Sequence, residues 1–257
     1  MKLLSWNIAA GHIFKKNISN ALHHENYDIE DLNYFIDEIK KTDADVVFLQ
    51  ETHSEGEKSQ GKIIAEKLSY QFYREHAYGK SHIEKGKQLT LVTLSRYPIL
   101  SAFFHALPNP NLTIQRPNGE QWVTLNMGFL VTEVTIHNIK VNFANCHLIP
   151  LHYFKRHFAE PDFQYMRDDL TEFLNNLAQK PAIAGGDYNY ADLKQIIPSA
   201  FSHNLYNEAF TKTETAPGKG QQDHIIFTSQ WNLDNVLLEK VKADHYKCII
   251  EVSLNDE

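Results

Sequence analysis

The sequence predicts a four-layer α/β/β/α sandwich, in which two mixed β-sheets are stacked and helices cover their outer faces. Three observations support this fold class. Segments with helical apolar spacing interleave with two groups of strand-like segments along the chain. Some strands are continuous apolar runs, such as residues 46–49, which is typical of strands buried on both faces. The length of 257 residues allows one large core, so we expect residues 1–257 to form a single domain.

The first half of the chain is predicted to begin with a strand over residues 2–8. Apolar spacing predicts helices over residues 27–41 and 56–69, with a buried strand between them at residues 45–50. The pattern then changes to apolar or alternating runs, and a turn at His137-Asn138 separates the last two of them. These runs predict strands over residues 70–78, 88–94, 99–107, 122–135 and 140–146.

The second half is predicted to contain a long amphipathic helix over residues 162–178 and a short helix over residues 191–197 that Pro198 stops. Residues 108–118 and 211–222 are rich in turn-forming residues, so we expect two loops that border a binding site. The remaining segments are predicted strands over residues 181–185, 223–228, 232–240 and 246–254.

Composition limits the function without defining it. The net charge of −7 argues against tight, non-specific binding of polyanions, although a bound divalent cation can override the average field. The two cysteines, Cys146 and Cys248, lie in apolar runs and are predicted to be buried free thiols. The first residues run directly into a strand, and no stretch is long enough to span a bilayer. We therefore expect a cytoplasmic protein without a membrane anchor; the sequence gives no oligomeric state.

Six short polar clusters lie at the ends of predicted strands. Four of them follow a strand, one opens the strand at residues 223–228, and one precedes the last strand. Together they supply the carboxylates, amides and imidazoles that a metal-assisted attack on phosphorus requires. The clusters are Ser5-Trp6-Asn7, Leu49-Gln50-Glu51-Thr52, Asn145-Cys146-His147-Leu148, Gly185-Gly186-Asp187-Tyr188-Asn189, Gln222-Asp223-His224 and Asp244-His245.

Glu51 is the first candidate ligand for a divalent cation. Mg²⁺ prefers oxygen ligands and needs only one or two carboxylates from the protein. Because Glu51 follows a buried strand, its carboxylate is expected to emerge at a sheet edge, and Asn7 follows the first strand in the same way. On position alone each would be a solvated turn residue, so their assignment depends on the other clusters.

Asp187 and Asn189 are predicted to share one site, because residues at i and i+2 of an extended segment point the same way. Asp187 would take the proton from water, and Asn189 would hold a phosphoryl oxygen. Gly185 and Gly186 would let the backbone approach a ligand. The alternative is an Asx turn without chemistry. His147, at the end of its strand, would donate a hydrogen bond to a phosphoryl oxygen.

Asp223 and His245 form a plausible carboxylate–imidazole couple, since both lie at the edges of late strands that could be neighbours. A neighbouring carboxylate favours the imidazolium, which stabilises an anionic transition state. Asp244 would then be free to face the cation.

Other polar stretches give weaker signals. Residues 152–157 are basic and form either a solvated face or part of a substrate rim. His23 and His24 could hold a transition metal, although a surface loop is the better interpretation. The Gly-x-Ser-x-Gly nucleophile motif, the P-loop and the Gly-x-Gly-x-x-Gly fingerprint are absent, so neither a covalent serine mechanism nor a nucleotide-cradling loop is supported.

In this order, the six clusters resemble those of the endonuclease/exonuclease/phosphatase superfamily, and the resemblance runs from Ser5 to His245. It implies the DNase I-like fold, with Asn7 and Glu51 binding Mg²⁺ or Mn²⁺ and Asp244 nearby. It also implies that Asp187 activates water, that Asn189 and His147 bind the phosphate, and that His245, held by Asp223, stabilises the transition state. The chain departs from common members at Thr90-Leu91, Cys146 and Ala243, and neither of the last two changes removes a group with an implied role.

The resemblance implies a metal-dependent hydrolase of phosphate esters that uses in-line attack by an activated water. A phosphodiesterase or nuclease is the favoured activity, and a phosphate ester, with nucleic acid as one candidate, is the expected partner. The alternatives are a phosphomonoesterase acting on an inositol or sugar phosphate, and a sphingomyelinase-like phospholipid phosphodiesterase. A third class is a binding protein that kept the fold and lost the chemistry.

Overall fold

Two stacked β-sheets dominate the computed structural model, which describes residues 1–13, 29–116, 119–202 and 204–255. The predicted alternatives for His23 and His24 lie outside these residues. The strands, in chain order, are β1 (Lys2–Asn7), β2 (His12–Ile13), β3 (Ile29–Glu30), β4 (Val46–Glu55), β5 (Lys58–Ser59), β6 (Phe72–Lys80), β7 (Gln88–Ser95), β8 (Ile99–Ala106), β9 (Thr113–Gln115), β10 (Gln121–Val123), β11 (Gly128–Ile136), β12 (Ile139–His147), β13 (Ala182–Asp187), β14 (Tyr206–Glu208), β15 (Asp223–Thr228), β16 (Trp231–Glu239) and β17 (Lys247–Leu254).

The helices are fewer and lie outside the sheets. They are α1 (Leu32–Thr42), α2 (Gln60–Lys67), α3 (Gln164–Leu177), α4 (Leu193–Ile196) and α5 (Pro198–Ser202), with short 3₁₀ turns at Ala9–Gly11, Leu151–Phe154 and Pro161–Phe163. In the described part of the chain, no helix is both long and apolar enough to cross a bilayer.

Both sheets are mixed. The first has the order β16-β17-β1-β4-β7-β6 with β5 attached to β4, and the second has the order β14-β15-β13-β12-β11-β8. Strand β1 runs parallel to β4, and β12 runs parallel to β13, whereas the other pairs in these orders are antiparallel. Two small two-stranded pairs, β2–β3 and β9–β10, lie apart from the main sheets.

Apolar clusters show the four layers. Phe35 and Ile39 of α1, with Ile64 of α2, pack against the outer face of the first sheet. The apolar stripe of α3 packs in the same way against the second sheet. Between the sheets, a further cluster includes Phe48 and Phe143, whose ring centroids are 6.3 Å apart. The predicted fold class is therefore confirmed.

Capping residues explain why two predicted helices begin too early. The Asp31 carboxylate accepts from the backbone N–H of Tyr34, and the Ser59 hydroxyl accepts from that of Lys62. Each cap satisfies an otherwise unpaired donor of the first turn, so α1 begins at Leu32 and α2 at Gln60. Residues 27 and 28 of the first predicted helix lie outside the described chain.

Several other boundaries differ from the predictions. The predicted strand over residues 122–135 is two strands, β10 and β11, and the predicted loop over residues 108–118 contains β9. The short predicted helix does end before Pro198, at Ile196, and Pro198 then begins a further helix, α5, because proline is compatible with the first helical turn. The turn at His137 and Asn138 is confirmed, and both residues have positive φ, as a tight two-residue hairpin requires. Cys146 and Cys248 are buried free thiols, as predicted.

Candidate active site

Strand register places three of the sequence-predicted side chains next to each other at one end of the second sheet. Asp187 of β13 is paired with His147 of the parallel strand β12 and with Asp223 of the antiparallel strand β15. All three residues are nearly inaccessible to solvent. The position of each therefore follows from the sheet and not from a flexible loop.

Gly186 makes this close strand packing feasible. Its φ is 148°, and a Cβ atom at this position would lie 2.0 Å from the carbonyl oxygen of Cys146 on the neighbouring strand. The glycine is therefore needed for the contact between β13 and β12. The sequence predicted that this glycine lets the backbone approach a ligand; the close approach in the structure is to the backbone of Cys146.

Glu51 reaches the same point from the first sheet, but through different geometry from that predicted. Strand β4 continues to Glu55, so Glu51 does not end it. The register with β7 shifts between Leu49 and Thr52, and Glu51 has a φ of 53°. A bulge with an unusual backbone conformation turns the carboxylate inward, and bulges and backbone strain of this kind are common at functional sites.

Asn7, at the end of β1, connects the carboxylates of the two sheets. Its amide nitrogen donates to Glu51 Oε1 at 3.2 Å and to Asp187 Oδ2 at 3.1 Å. Its oxygen accepts from the backbone N–H of Ala9 at 3.0 Å. In this orientation Asn7 is a donor to two carboxylates, and its predicted role as a metal ligand would need the amide to turn over.

The predicted couple of Asp223 and His245 is present, although their strands are not paired within one sheet. His245 Nδ1 lies 2.8 Å from Asp223 Oδ2, while Nε2 lies 3.6 Å from Asp187 Oδ2. The strands β15 and β17 belong to opposite sheets and contact each other face to face. The backbone carbonyl of His245 also accepts from the indole N–H of Trp6 at 3.0 Å, which fixes the turn before β17.

Burial and charge separate the protonation states of the site. Burial alone lowers the pKa of His245, but Asp223 and Asp187 raise it to about 10, so the imidazole is charged at neutral pH. Burial raises the pKa of Asp187 to about 7, despite the opposing effect of His245. Burial and the nearby Asp244 raise the pKa of Glu51 to about 7 as well.

His147 is the neutral imidazole of the site. Burial lowers its pKa well below the usual value, and the charge on His245 adds to the effect. Its Nε2 lies 3.6 Å from Asp187 Oδ2, and its Nδ1 lies 2.9 Å from the hydroxyl of Tyr78. When Tyr78 donates its proton to Nδ1, the proton of the neutral His147 ring lies on Nε2, which faces Asp187.

Asn189 lies at the site in the Asx-turn conformation that the sequence offered as the alternative. It has a φ of 50°, and its backbone N–H donates to Asp187 Oδ1 at 2.9 Å, which forms an Asx turn. Its amide nitrogen donates to the carbonyl oxygen of Leu148 at 3.0 Å. The turn that was the alternative interpretation is thus present, and Asn189 nevertheless lines the cavity beside Asp187.

Asp244 and Lys219 complete the charged groups of the site. Lys219 Nζ lies 3.9 Å from Asp244 Oδ2, and both side chains are largely buried. Burial lowers the pKa of Lys219, but Asp244 and other acidic groups of the site outweigh this and raise it. Lys219 was not predicted, because it lies in a Gly- and Thr-rich loop where a lysine carries no distinguishing pattern.

These groups open into a cavity of about 590 Å³, lined by Glu51, His147, Asp187, Asn189, Asp244 and His245. A family model described as the Endonuclease/Exonuclease/phosphatase family matches residues 4–245. The chain belongs to the endonuclease/exonuclease/phosphatase family. Members of the family are metal-dependent phosphoesterases, so this protein is an enzyme that hydrolyses phosphate esters.

Solved structures share the fold of this phosphoesterase. An endonuclease/exonuclease/phosphatase from Beutenbergia cavernae is 16% identical with a TM-score of 0.69, and the match covers 98% of this chain and 71% of that one. The mannosyl-6-phosphatase of Bacteroides thetaiotaomicron is 13% identical with a TM-score of 0.62, covering 99% and 100%. The human Nocturnin catalytic domain with bound sulfate anion is 15% identical with a TM-score of 0.63, covering 99% and 94%. No curated protein matches the chain.

The donor set of the phosphoesterase fits a divalent cation. One ligand atom from each of Glu51, His147 and Asp187 can be chosen so that all three lie within 4.8 Å of one another. Burial raises the pKa values of Glu51 and Asp187, so a nearby positive charge would stabilise their charged forms. A cation bound among carboxylate oxygens supplies that charge, and Mg²⁺ and Mn²⁺ favour such ligands.

The raised pKa of Glu51 leads to a stability prediction for the cation-free enzyme. The folded state favours protonated Glu51. The stability that this residue contributes is therefore complete below pH 4.5 and is lost as the pH rises through about 7. We expect Glu51→Gln to raise the free energy of unfolding in EDTA at about pH 8 by up to about 3 kcal/mol, because one pK unit corresponds to about 1.4 kcal/mol. At about pH 4 the gain should vanish. Urea denaturation at both pH values measures the difference.

Glu133 is the matched control for this experiment. Lys180 and Lys140 lower the pKa of its carboxyl, so it stabilises the fold above its ordinary pKa and loses this effect as the pH falls. Glu133→Gln should therefore destabilise the protein at about pH 8, opposite in sign to Glu51→Gln. A loss of stability in Glu51→Gln at that pH would contradict the electrostatic account of the site.

Proposed function

We propose that this phosphoesterase is a single-domain, Mg²⁺- or Mn²⁺-dependent phosphodiesterase that cleaves nucleotide-like or nucleic-acid esters by in-line attack of an activated water. One observation carries the proposal. Asp187 Oδ2 lies 3.6 Å from Nε2 of both His147 and His245, which are contributed by different sheets. A carboxylate is thus placed between a neutral imidazole and an imidazolium, which is an arrangement suited to moving a proton beside a developing negative charge.

In the proposed mechanism Asp187 takes the proton from the attacking water. Its pKa, raised to about 7 by burial, suits a base that works near neutral pH. Glu51, Asn7 and Asp244 would hold the cation, with Asn7 turning its amide oxygen inward. When bound, the cation neutralises the phosphoryl oxygens and makes the phosphorus more electrophilic.

The remaining groups hold the phosphate and its developing charge. His245 is kept positive by Asp223 and faces the phosphoryl oxygens through Nε2. His147 donates its Nε2 proton, in the tautomer in which Tyr78 donates to Nδ1. Asn189 borders the same space and would hold a phosphoryl oxygen after its bond to Leu148 is exchanged.

A phosphomonoesterase is the second candidate function, and Lys219 is the observation that favours it. A phosphate monoester carries more negative charge than a diester. Lys219 places a second positive charge, besides that of His245, at the wall of the same cavity. An inositol phosphate or sugar phosphate would be substrates of this kind.

Cation removal tests the proposed function. We expect EDTA to abolish cleavage of DNA, RNA and nucleotide diesters, and added Mg²⁺ or Mn²⁺ to restore it, because the cation would neutralise the phosphoryl oxygens. EDTA that is already saturated with Mg²⁺ is the control and should have no effect. Phosphate release from monoesters, without diester cleavage, would instead support the second candidate. Diester cleavage at an unchanged rate in EDTA would refute the proposal.

A further inference from the structure

The cavity extends beyond the charged groups to three aromatic rings that the proposed mechanism does not use. They are His82 on the loop between β6 and β7, Trp122 on β10, and Tyr153 in the 3₁₀ turn Leu151–Phe154. We refer to His82, Trp122 and Tyr153 as the aromatic corner. The three side chains come from three separate segments, so their meeting results from tertiary structure.

The rings of the aromatic corner are steeply inclined. The centroid of the Trp122 ring lies 5.7 Å from that of His82 and 5.8 Å from that of Tyr153, with interplanar angles of 71° and 72°. A planar ligand can therefore lie flat against one ring while another ring meets it edge-on, and both are favourable aromatic geometries. Leu125 and Met127 add apolar surface to the same cavity wall.

Trp122 is held in place before any ligand binds. The Arg116 guanidinium lies over its ring at 3.8 Å from the centroid, and the Arg116 side chain is only 12% exposed. Backbone pairing of Trp122 with Ile114 of β9 fixes the strand that carries it. A preorganised ring costs little conformational entropy when a ligand packs against it.

The aromatic corner adjoins the position where the phosphate would bind. His82 Nε2 lies 3.9 Å from Glu51 Oε2. Tyr153 lines the same cavity as Lys219 and Asp244. One ligand could therefore occupy the corner and the charged groups together.

We propose that the aromatic corner binds the nucleobase of a small nucleotide ester whose phosphate lies among the charged groups. This inference rests on the proposed function and specifies its substrate class. A volume of about 590 Å³ suits one small ligand, since ligand cavities commonly measure about 300–1,000 Å³. The net charge of −7 also favours a small nucleotide over a long polyanion.

Binding of nucleosides tests the corner without any catalysis. Of the three tryptophans, Trp6 and Trp231 are 0% and 3% exposed, whereas Trp122 is partly exposed in the cavity. Adenosine and uridine should therefore change the tryptophan fluorescence in a saturable way. Trp122→Ala should abolish the change, and Tyr153→Ala should weaken binding about tenfold, as expected for the loss of one stacking partner. Tyr165→Ala, which removes an exposed aromatic ring on α3, is the control and should bind normally.

Hydrolysis provides the second measurement. Trp122→Ala should raise KM for nucleotide esters about tenfold or more, whereas Tyr165→Ala should leave KM unchanged. Mannose or glucose binding as tightly as adenosine, or no saturable response to either nucleoside, would overturn the inference. Cation-dependent diester cleavage without nucleoside binding would refute only the role of the aromatic corner in binding a nucleobase. Nucleoside binding without any hydrolysis would refute the proposed function but not the binding of a nucleobase by the aromatic corner.

Discussion

Asp187→Ala is expected to lower kcat about 10²–10⁴-fold with little change in KM, because it removes the proposed base from the water. The residue contacts polar groups that come from both sheets. Its Oδ2 accepts from Asn7 and lies 3.6 Å from both His147 and His245, and its Oδ1 accepts from the Asn189 backbone. Steady-state kinetics with saturating Mg²⁺ on any ester that the wild type cleaves measures the loss.

Asp187→Asn distinguishes lost chemistry from lost folding. The amide keeps the size of the side chain, and it removes a buried charge whose pKa of about 7 shows that the fold tolerates that charge poorly. We expect the Asp187→Asn enzyme to be as inactive as the Asp187→Ala enzyme. In EDTA at about pH 8, we expect Asp187→Asn to resist urea at least as well as the wild type. More than a tenth of wild-type kcat in Asp187→Asn would exclude Asp187 as the base.

The predictable part of the site follows from strand ends. Asp187 and His147 end apolar strands, and parallel strands bring their carboxyl ends to the same sheet edge, so their proximity could be inferred. Asp223 and His245 were paired correctly on weaker grounds, because apolar alternation does not determine to which sheet a strand belongs. Only the stacking of the two sheets brings these side chains together.

Other features had no local signal. The bulge at Glu51 depends on the register between β4 and β7, and a run of apolar residues looks the same with or without it. Tyr78 has the pattern of an ordinary strand residue, and its function comes only from its contact with His147. Trp122 was assigned to one long strand, which the structure divides where Thr124 instead bonds to Asn109 and Leu112. These features arise from contacts between residues that are distant in the chain.

The charge on His245 gives the second large effect. Asp223→Asn removes the carboxylate 2.8 Å from Nδ1, while the burial that disfavours the imidazolium stays the same. We therefore expect the pKa of His245 to fall from about 10 and kcat at neutral pH to drop about 10²–10³-fold, as for the loss of a transition-state charge stabiliser. The alkaline limb of the kcat profile should move to lower pH.

Asp169→Asn is the matched control, because Asp169 lies 2.8 Å from His105 in a second carboxylate–imidazole pair that does not line the cavity. Loss of this partly exposed pair should leave both kcat and the pH profile unchanged. An NMR titration of the His245 ring in wild type and Asp223→Asn, both with saturating Mg²⁺, separates a changed charge from a displaced side chain. Asp223→Asn could lose activity while the pKa of His245 stays at its wild-type value. In that case Asp223 would act by positioning the ring, and the charge on His245 would not be what stabilises the transition state.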